Sequence, residues 1–173
     1  MDLNKIYFYT ASIYQWKPLL LNDDYKDIII RSLSYLVKRR KIVVYAFVIM
    51  PNHIHIIWEL ISLNGKEMPH ASFMKFVSHE FLQRLRTCRS SEFDHYRVEE
   101  KSRNYRFWNE KPMSVFLYTP NVIYQKLDYI HNNPVQGKWS LSYGPLDYRY
   151  SSARFYEDGI DEFGFLSHIG ERI

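Results

Sequence analysis

Cysteine is nearly absent from this 173-residue chain: Cys88 stands alone, so no disulfide framework is available and the composition fits a reducing, cytoplasmic setting. Long apolar runs are missing too. The longest, Ile42 to Met50, is strand-length and falls far short of the ~18 residues that span a bilayer, so no membrane partner is expected. The opening Met1-Asp2-Leu3-Asn4-Lys5 has neither the basic nor the apolar stretch of a signal peptide. There is no internal repeat or low-complexity tract, and the length suits a single domain, 1–173, with a sizeable core. What is abundant is aromatic: fifteen tyrosines and 17% aromatics overall, beside a net charge of +4 and a pI near 9.0. Aromatic faces among basic residues can stack unpaired bases, although sheet and core packing accounts for most aromatics in most proteins. The mild positive charge points toward a polyanion.

The most informative stretch is Met50-Pro51-Asn52-His53-Ile54-His55-Ile56-Ile57-Trp58. Read as a strand, it sends His53 and His55 to one face and Ile54 and Ile56 to the other. Two neutral imidazoles side by side on a rigid strand form half of a divalent-metal site. Such pairs also occur in proteins that bind no metal, so a third ligand and a nucleophile decide the matter.

Around that stretch the chain reads as mixed strands and helices. Ile6 to Ile13 is β-branched and aromatic, a strand. Asn22 or Asp23 caps a helix with Tyr25, Ile28, Ile29, Leu33 and Leu36 at helical spacing, acidic at its start and basic at Lys38, Arg39 and Arg40. Lys41 to Met50 and His53 to Leu60 read as two strands joined at Pro51-Asn52, most simply an antiparallel hairpin. A second helix, about Pro69 to Cys88, carries Phe73, Phe76, Val77, Phe81 and Leu85 inward. Ser90 to Arg106 is charged and reads as a surface insertion or loop. Pro112 to Tyr118 is a fourth strand, and Thr119-Pro120 opens a third helix that stops near Pro134.

That third helix holds the remaining candidates. Ile123, Leu127 and Ile130 form its apolar stripe, and Tyr129 lies about 200° from Leu127 at about 100° per residue. Gln125, Tyr129 and Asn133 form one polar line at i, i+4 and i+8, with Lys126 beside it. A tyrosine followed four residues later by a carboxamide presents a nucleophilic oxygen and a metal-binding oxygen on one face. Taken singly, Tyr129 reads first as an interface tyrosine and Asn133 as a helix cap; their joint appearance with His53 and His55 reverses that order.

The strings YAFVIMPNHIHIIW (Tyr45 to Trp58), KLDYIHNNPV (Lys126 to Val135) and DYRYSSARFY (Asp147 to Tyr156) resemble the one-tyrosine HUH transposases. The match is closest to the REP-associated tyrosine transposases, relatives of the transposases of small single-strand insertion sequences. The resemblance spans nearly the whole chain in the family's order. It implies an α+β fold: a ferredoxin-like sandwich with a central antiparallel sheet and helices packed on one face. It implies His53 and His55 as metal ligands, with Asn133 where the insertion-sequence relatives carry a glutamine, and Tyr129 as nucleophile. The cofactor implied is a divalent metal, Mg2+ or Mn2+. The partner implied is single-stranded or hairpin DNA, and the activity is nicking and strand transfer through a 5′-phosphotyrosine.

Lys75, Arg84, Arg86 and Arg89 on the second helix, Arg103, Arg106 and Lys111 near the fourth strand, and Lys126 are candidate phosphate contacts, each of which also reads as a solvated basic residue. Tyr148, Tyr150 and Arg154 line DNA or pack the tail. Two rival readings stand beside this one: a non-catalytic hairpin-binding descendant of a transposase, and a zinc hydrolase. The second needs a further zinc ligand, and His70, His79 and His131 do not stand at zinc-like spacing. A homodimer and a monomer are both open, the difference being whether the third helix packs on its own sheet or on a partner's.

Overall fold

The computed structural model describes residues 1–88, 91–100 and 103–173. Four antiparallel strands form the central sheet: β1 (Ile6–Ser12), β2 (Ile42–Met50), β3 (His53–Leu60) and β6 (Met113–Phe116), in the order β2-β3-β1-β6. With helices α1 (Asp23–Lys38) and α2 (Pro69–Thr87), the chain order is β1-α1-β2-β3-α2-β6, the ferredoxin-like arrangement. Each boundary has a local cause. Asn22 caps α1 by accepting the Asp24 N–H at 2.9 Å, and Pro51-Asn52 alone links β2 to β3, with Met50 opposite His53.

The expectation that the helices share one face of the sheet is corrected. Helices α1 and α2 cover the face carrying Tyr9, Phe47, Ile54, Ile56 and Trp58. The third helix, α3 (Pro120–Asn132), packs on the opposite face, with Ile123, Leu127 and Ile130 against Ile6, Phe8, Ala46, Val48 and Ile57. The reason lies in β2 and its neighbours. Nearly every residue of IVVYAFVIM is buried, which requires cover on both sides. In β3 the alternation sends Ile54, Ile56, Trp58 and Leu60 to the two-helix side, and His53, His55, Ile57 and Glu59 to the α3 side.

The two edges of the sheet differ. The C-terminal segment, including α4 (Ala153–Asp158), runs along β2: Tyr150 O accepts from Ile49 N, Ser152 N donates to Phe47 O, and Ser167 N donates to Val44 O. Strand β6 pairs only with β1, and its four residues are exposed.

The segment expected as a charged surface loop is folded where it is described. A 3-10 turn (Ser91–Tyr96) leads into a two-stranded hairpin, β4 (Arg97–Glu100) with β5 (Arg103–Tyr105). Its root is aromatic and buried: Tyr96 stacks on Phe107 at 5.0 Å, and Trp108 lies 5.9 Å from Phe81. Arg89, among the expected phosphate contacts, lies outside the described residues. Among those residues no helix is long and apolar enough to cross a membrane.

Candidate active site

Strand register assembles the site. Thr10 of β1 pairs with His55, and Phe8 pairs with Ile57, so Phe8, Thr10, His53 and His55 share the face beneath α3. The imidazoles lie 4.8 Å apart, centre to centre. Helix α3 is held by its buried stripe and started by Thr119, whose hydroxyl accepts the Val122 N–H at 3.4 Å. That anchoring lays Tyr129 over the histidines, its ring 5.2 Å from His55 and 6.0 Å from Phe8. His55 in turn stacks on Phe8 at 5.2 Å. Tyr129 is 47% exposed.

Each histidine has one nitrogen held by a neighbour. His55 Nδ1 lies 2.7 Å from Thr10 Oγ1, while its Nε2 is buried and has no hydrogen-bond partner. His53 Nδ1 lies 2.7 Å from Asn52 Oδ1. Asn52 is itself buried and its Nδ2 donates to the Trp16 carbonyl at 3.2 Å, so only its oxygen faces the ring. His53 Nδ1 therefore donates, and the lone pair is left on Nε2. Metal-binding histidines are held in this way, by a second hydrogen bond that fixes ring and tautomer.

Both rings are kept neutral. Burial pushes His53 below its ordinary value, opposed in part by Asn133, whose side chain would hydrogen-bond the protonated ring. Burial, with the charges of His53 and Lys126 adding to it, pushes His55 down to about 3. Asn133 Nδ2 donates to the Tyr129 carbonyl at 3.4 Å, so its oxygen is not used in that bond and would share a proton or a cation with the accepting Nε2 of His53. Two neutral imidazoles, an orphaned buried ring nitrogen and a carboxamide oxygen suit a divalent cation. Among the described residues no group of three His, Cys, Asp or Glu side chains could hold a metal, so a zinc hydrolase would lack its further ligand. His131, nominated for that role, is bonded instead to Ser152 at 2.9 Å.

The expected phosphate contacts divide. Lys126 is at the site, its Nζ 4.9 Å from the centre of Phe8 and 5.4 Å from that of Tyr129. Lys75, Arg84 and Arg86 are on α2, across the sheet from the histidines. There Lys75 pairs with Glu67 at 2.9 Å, Arg84 pairs with Asp24, and Arg86 lies over Phe93 and Tyr105. Arg106 pairs with Glu100 and Glu110 and covers the Tyr14 ring at 5.4 Å. Tyr148 and Tyr150 pack the tail, their hydroxyls donating to Ile49 O at 2.6 Å and Asp27 Oδ1 at 2.8 Å. Sequence reasoning missed Thr10, Phe8 and Asn52. Only the last carried a local signal, its place beside His53, and it was read as a turn residue.

Compared by sequence, the chain matches no family model and no curated protein. By fold, it is similar to the solved structure of a REP-associated tyrosine transposase bound to a REP hairpin. The TM-score is 0.62 at 19% identity, over 97% of this chain and 88% of that one. A Deinococcus radiodurans protein described as a transposase aligns at 18% identity over 76% of this chain and 92% of its own, with a TM-score of 0.40, too loose to bear on the site. The α+β fold is thus that of a REP-associated tyrosine transposase.

Proposed function

We propose that this protein is a metal-dependent endonuclease and strand transferase acting on single-stranded DNA, with Tyr129 as nucleophile and DNA hairpins as targets. The observation that carries the reading is the meeting, within one chain, of a half-exposed tyrosine with the buried His55 and the half-buried His53, both neutral, whose remaining nitrogens are aimed by Thr10 and Asn52. The hairpin target follows from the REP hairpin bound by the similarly folded transposase.

His53, His55 and Asn133 are the residues that would hold the metal. Bound there, a divalent cation supplies the charge that polarises and orients a scissile phosphate. The Tyr129 oxygen attacks phosphorus in line, forming one P–O bond as the bond to the 3′ oxygen breaks. The phenolic proton leaves to the water around the half-exposed ring, and the departing 3′ oxygen takes up a proton. The products are a 5′-phosphotyrosine and a free 3′-hydroxyl. Because the new ester retains the bond energy of the old one, a second 3′-hydroxyl can attack it, join a new strand and release Tyr129. The Lys126 ammonium beside the ring supports the phosphate charge.

The test is incubation with labelled single-stranded hairpin DNA and Mg2+ or Mn2+, followed by a denaturing gel. A protein-linked DNA band, absent in Tyr129→Phe and His53→Ala, is the expected result. Cleavage undiminished in Tyr129→Phe would favour a hydrolase using water. Hairpin binding with no adduct under either metal would identify a non-catalytic descendant.

A further inference from the structure

We infer that Trp16 is a stacking platform for an unpaired nucleobase of the strand whose phosphate lies at His53 and His55. The inference rests on the single-strand DNA reading above and adds to it a base-binding position outside the metal and tyrosine.

Trp16 is 65% exposed. Its indole is thus presented to water from an ordered turn, with a large aromatic face free to stack. The turn itself is unusual. Gln15 and Trp16 both have left-handed backbone angles, φ 56° and 53°, without being glycine. Such strain persists only where surrounding bonds over-determine it, and it clusters at functional sites.

Those bonds are present on both flanks. Ile13 N donates to Asn52 O at 2.8 Å and Tyr14 N to Phe107 O at 2.8 Å, while Gln15 N donates to Asn109 Oδ1 at 3.1 Å. The Trp16 carbonyl accepts from Asn52 Nδ2 at 3.2 Å, and Asn52 Oδ1 is 2.7 Å from His53 Nδ1. Trp16 is thus two hydrogen bonds from a proposed metal ligand. Its backbone is pinned to the site while its indole faces solvent.

The neighbourhood suits a nucleic-acid strand. Lys17, next to Trp16 in the chain, holds its Nζ 5.3 Å from the Tyr14 ring centre and donates to the neutral His95 carbonyl, whereas Arg106, over the same ring at 5.4 Å, is spent on Glu100 and Glu110. Aromatic faces interleaved with cations accept unpaired bases while attracting the backbone between them. Not every exposed aromatic has such a link. Tyr118, for example, lies past the end of β6 beside Ile6 and Arg172, four β1 positions from the row that holds Thr10 and His55.

The test is an abasic scan read by fluorescence anisotropy. Hairpin oligonucleotides with randomised single-stranded flanks are first selected for binding, and each flanking base of the best binder is then removed in turn. A Tyr129→Phe background keeps the strand uncut. We expect removal of one particular base to weaken binding about tenfold with Trp16 present and to have no effect in Trp16→Ala. Trp16→Phe should restore most of the dependence. If no position distinguishes Trp16→Ala from its parent, the inference fails. It fails equally if Trp16→Ala loses affinity uniformly at every position along with thermal stability, since that describes a structural role. If no hairpin binds even with Trp16 intact, the DNA reading itself fails, and this one with it.

Discussion

The Tyr129 ring lies 5.2 Å from the His55 ring of the same chain, because α3 packs on its own sheet through Ile123, Leu127 and Ile130. One chain therefore brings together the proposed nucleophile and metal ligands. Tyr129→Phe should lower adduct formation by more than about a thousandfold. Mixing it with His53→Ala should restore nothing, since neither variant holds a complete site. A recovered adduct band in the mixture would show that α3 exchanges between chains.

Thr10 and Asn52 touch the imidazoles on the side away from the proposed metal position, so their loss should be felt first in metal affinity. Thr10→Val and Asn52→Ala should each weaken Mn2+ binding about ten- to a hundredfold in DNA-free protein, measured by competition with a metal-sensing dye. Asn52→Asp keeps an oxygen toward His53 but gives up the donor to Trp16, so it should fall between wild type and Asn52→Ala. Unchanged Mn2+ affinity in both Thr10→Val and Asn52→Ala would mean that these hydrogen bonds orient nothing.

Much of this site was legible in one dimension. Alternation put His53 and His55 on one face, and the helical line put Tyr129 and Asn133 on another, because each pair is spaced along a single element. Contacts between elements were not. Thr10 meets His55 through the β1–β3 register, which no local pattern in YFYTAS announces. The side of the sheet taken by α3 was also hidden, because β2 is apolar on both faces and favours neither. The β4–β5 hairpin looked like loop since its strands are short and charged, while two of the aromatic groups that seat it, Phe107 and Trp108, gain their partner Phe81 from distant α2, and Tyr96 stacks in turn on Phe107.

On the same face as the histidines, Glu59 is buried and accepts from Tyr45 Oη at 2.8 Å and from Arg172 Nε at 2.9 Å. Burial alone raises this carboxyl, but hydrogen bonds from Arg172 and Tyr45 outweigh it and hold the group below its ordinary value. A carboxyl lowered on folding adds stability above its unfolded value and loses it as pH falls through the folded one. The stability difference between wild type and Glu59→Gln, from urea unfolding, should therefore be flat from neutral to about pH 5 and shrink below it. Arg172→Ala should cost about 1–2 kcal/mol at pH 7. That is less than for a fully enclosed pair, because Arg172 is half exposed and Tyr45 still donates to Glu59. A gap that widens toward acid would contradict the assignment.

Asn133 is the ligand on which the proposed metal centre most depends for its third point. It stands at the C-terminal end of α3, where its side chain favours the protonated form of the His53 ring. Its nitrogen is spent on the Tyr129 carbonyl at 3.4 Å, a long bond whose loss should change stability little. Asn133→Ala should accordingly leave the melting temperature within a few degrees of wild type while weakening Mn2+ binding about tenfold or more. Asn133→Asp retains an oxygen and adds a negative charge, so it should bind Mn2+ at least as tightly as wild type. Titration of DNA-free protein by Mn2+ electron paramagnetic resonance separates these outcomes. If Asn133→Ala binds Mn2+ as wild type does, two histidines hold the ion and the carboxamide serves only to end the helix.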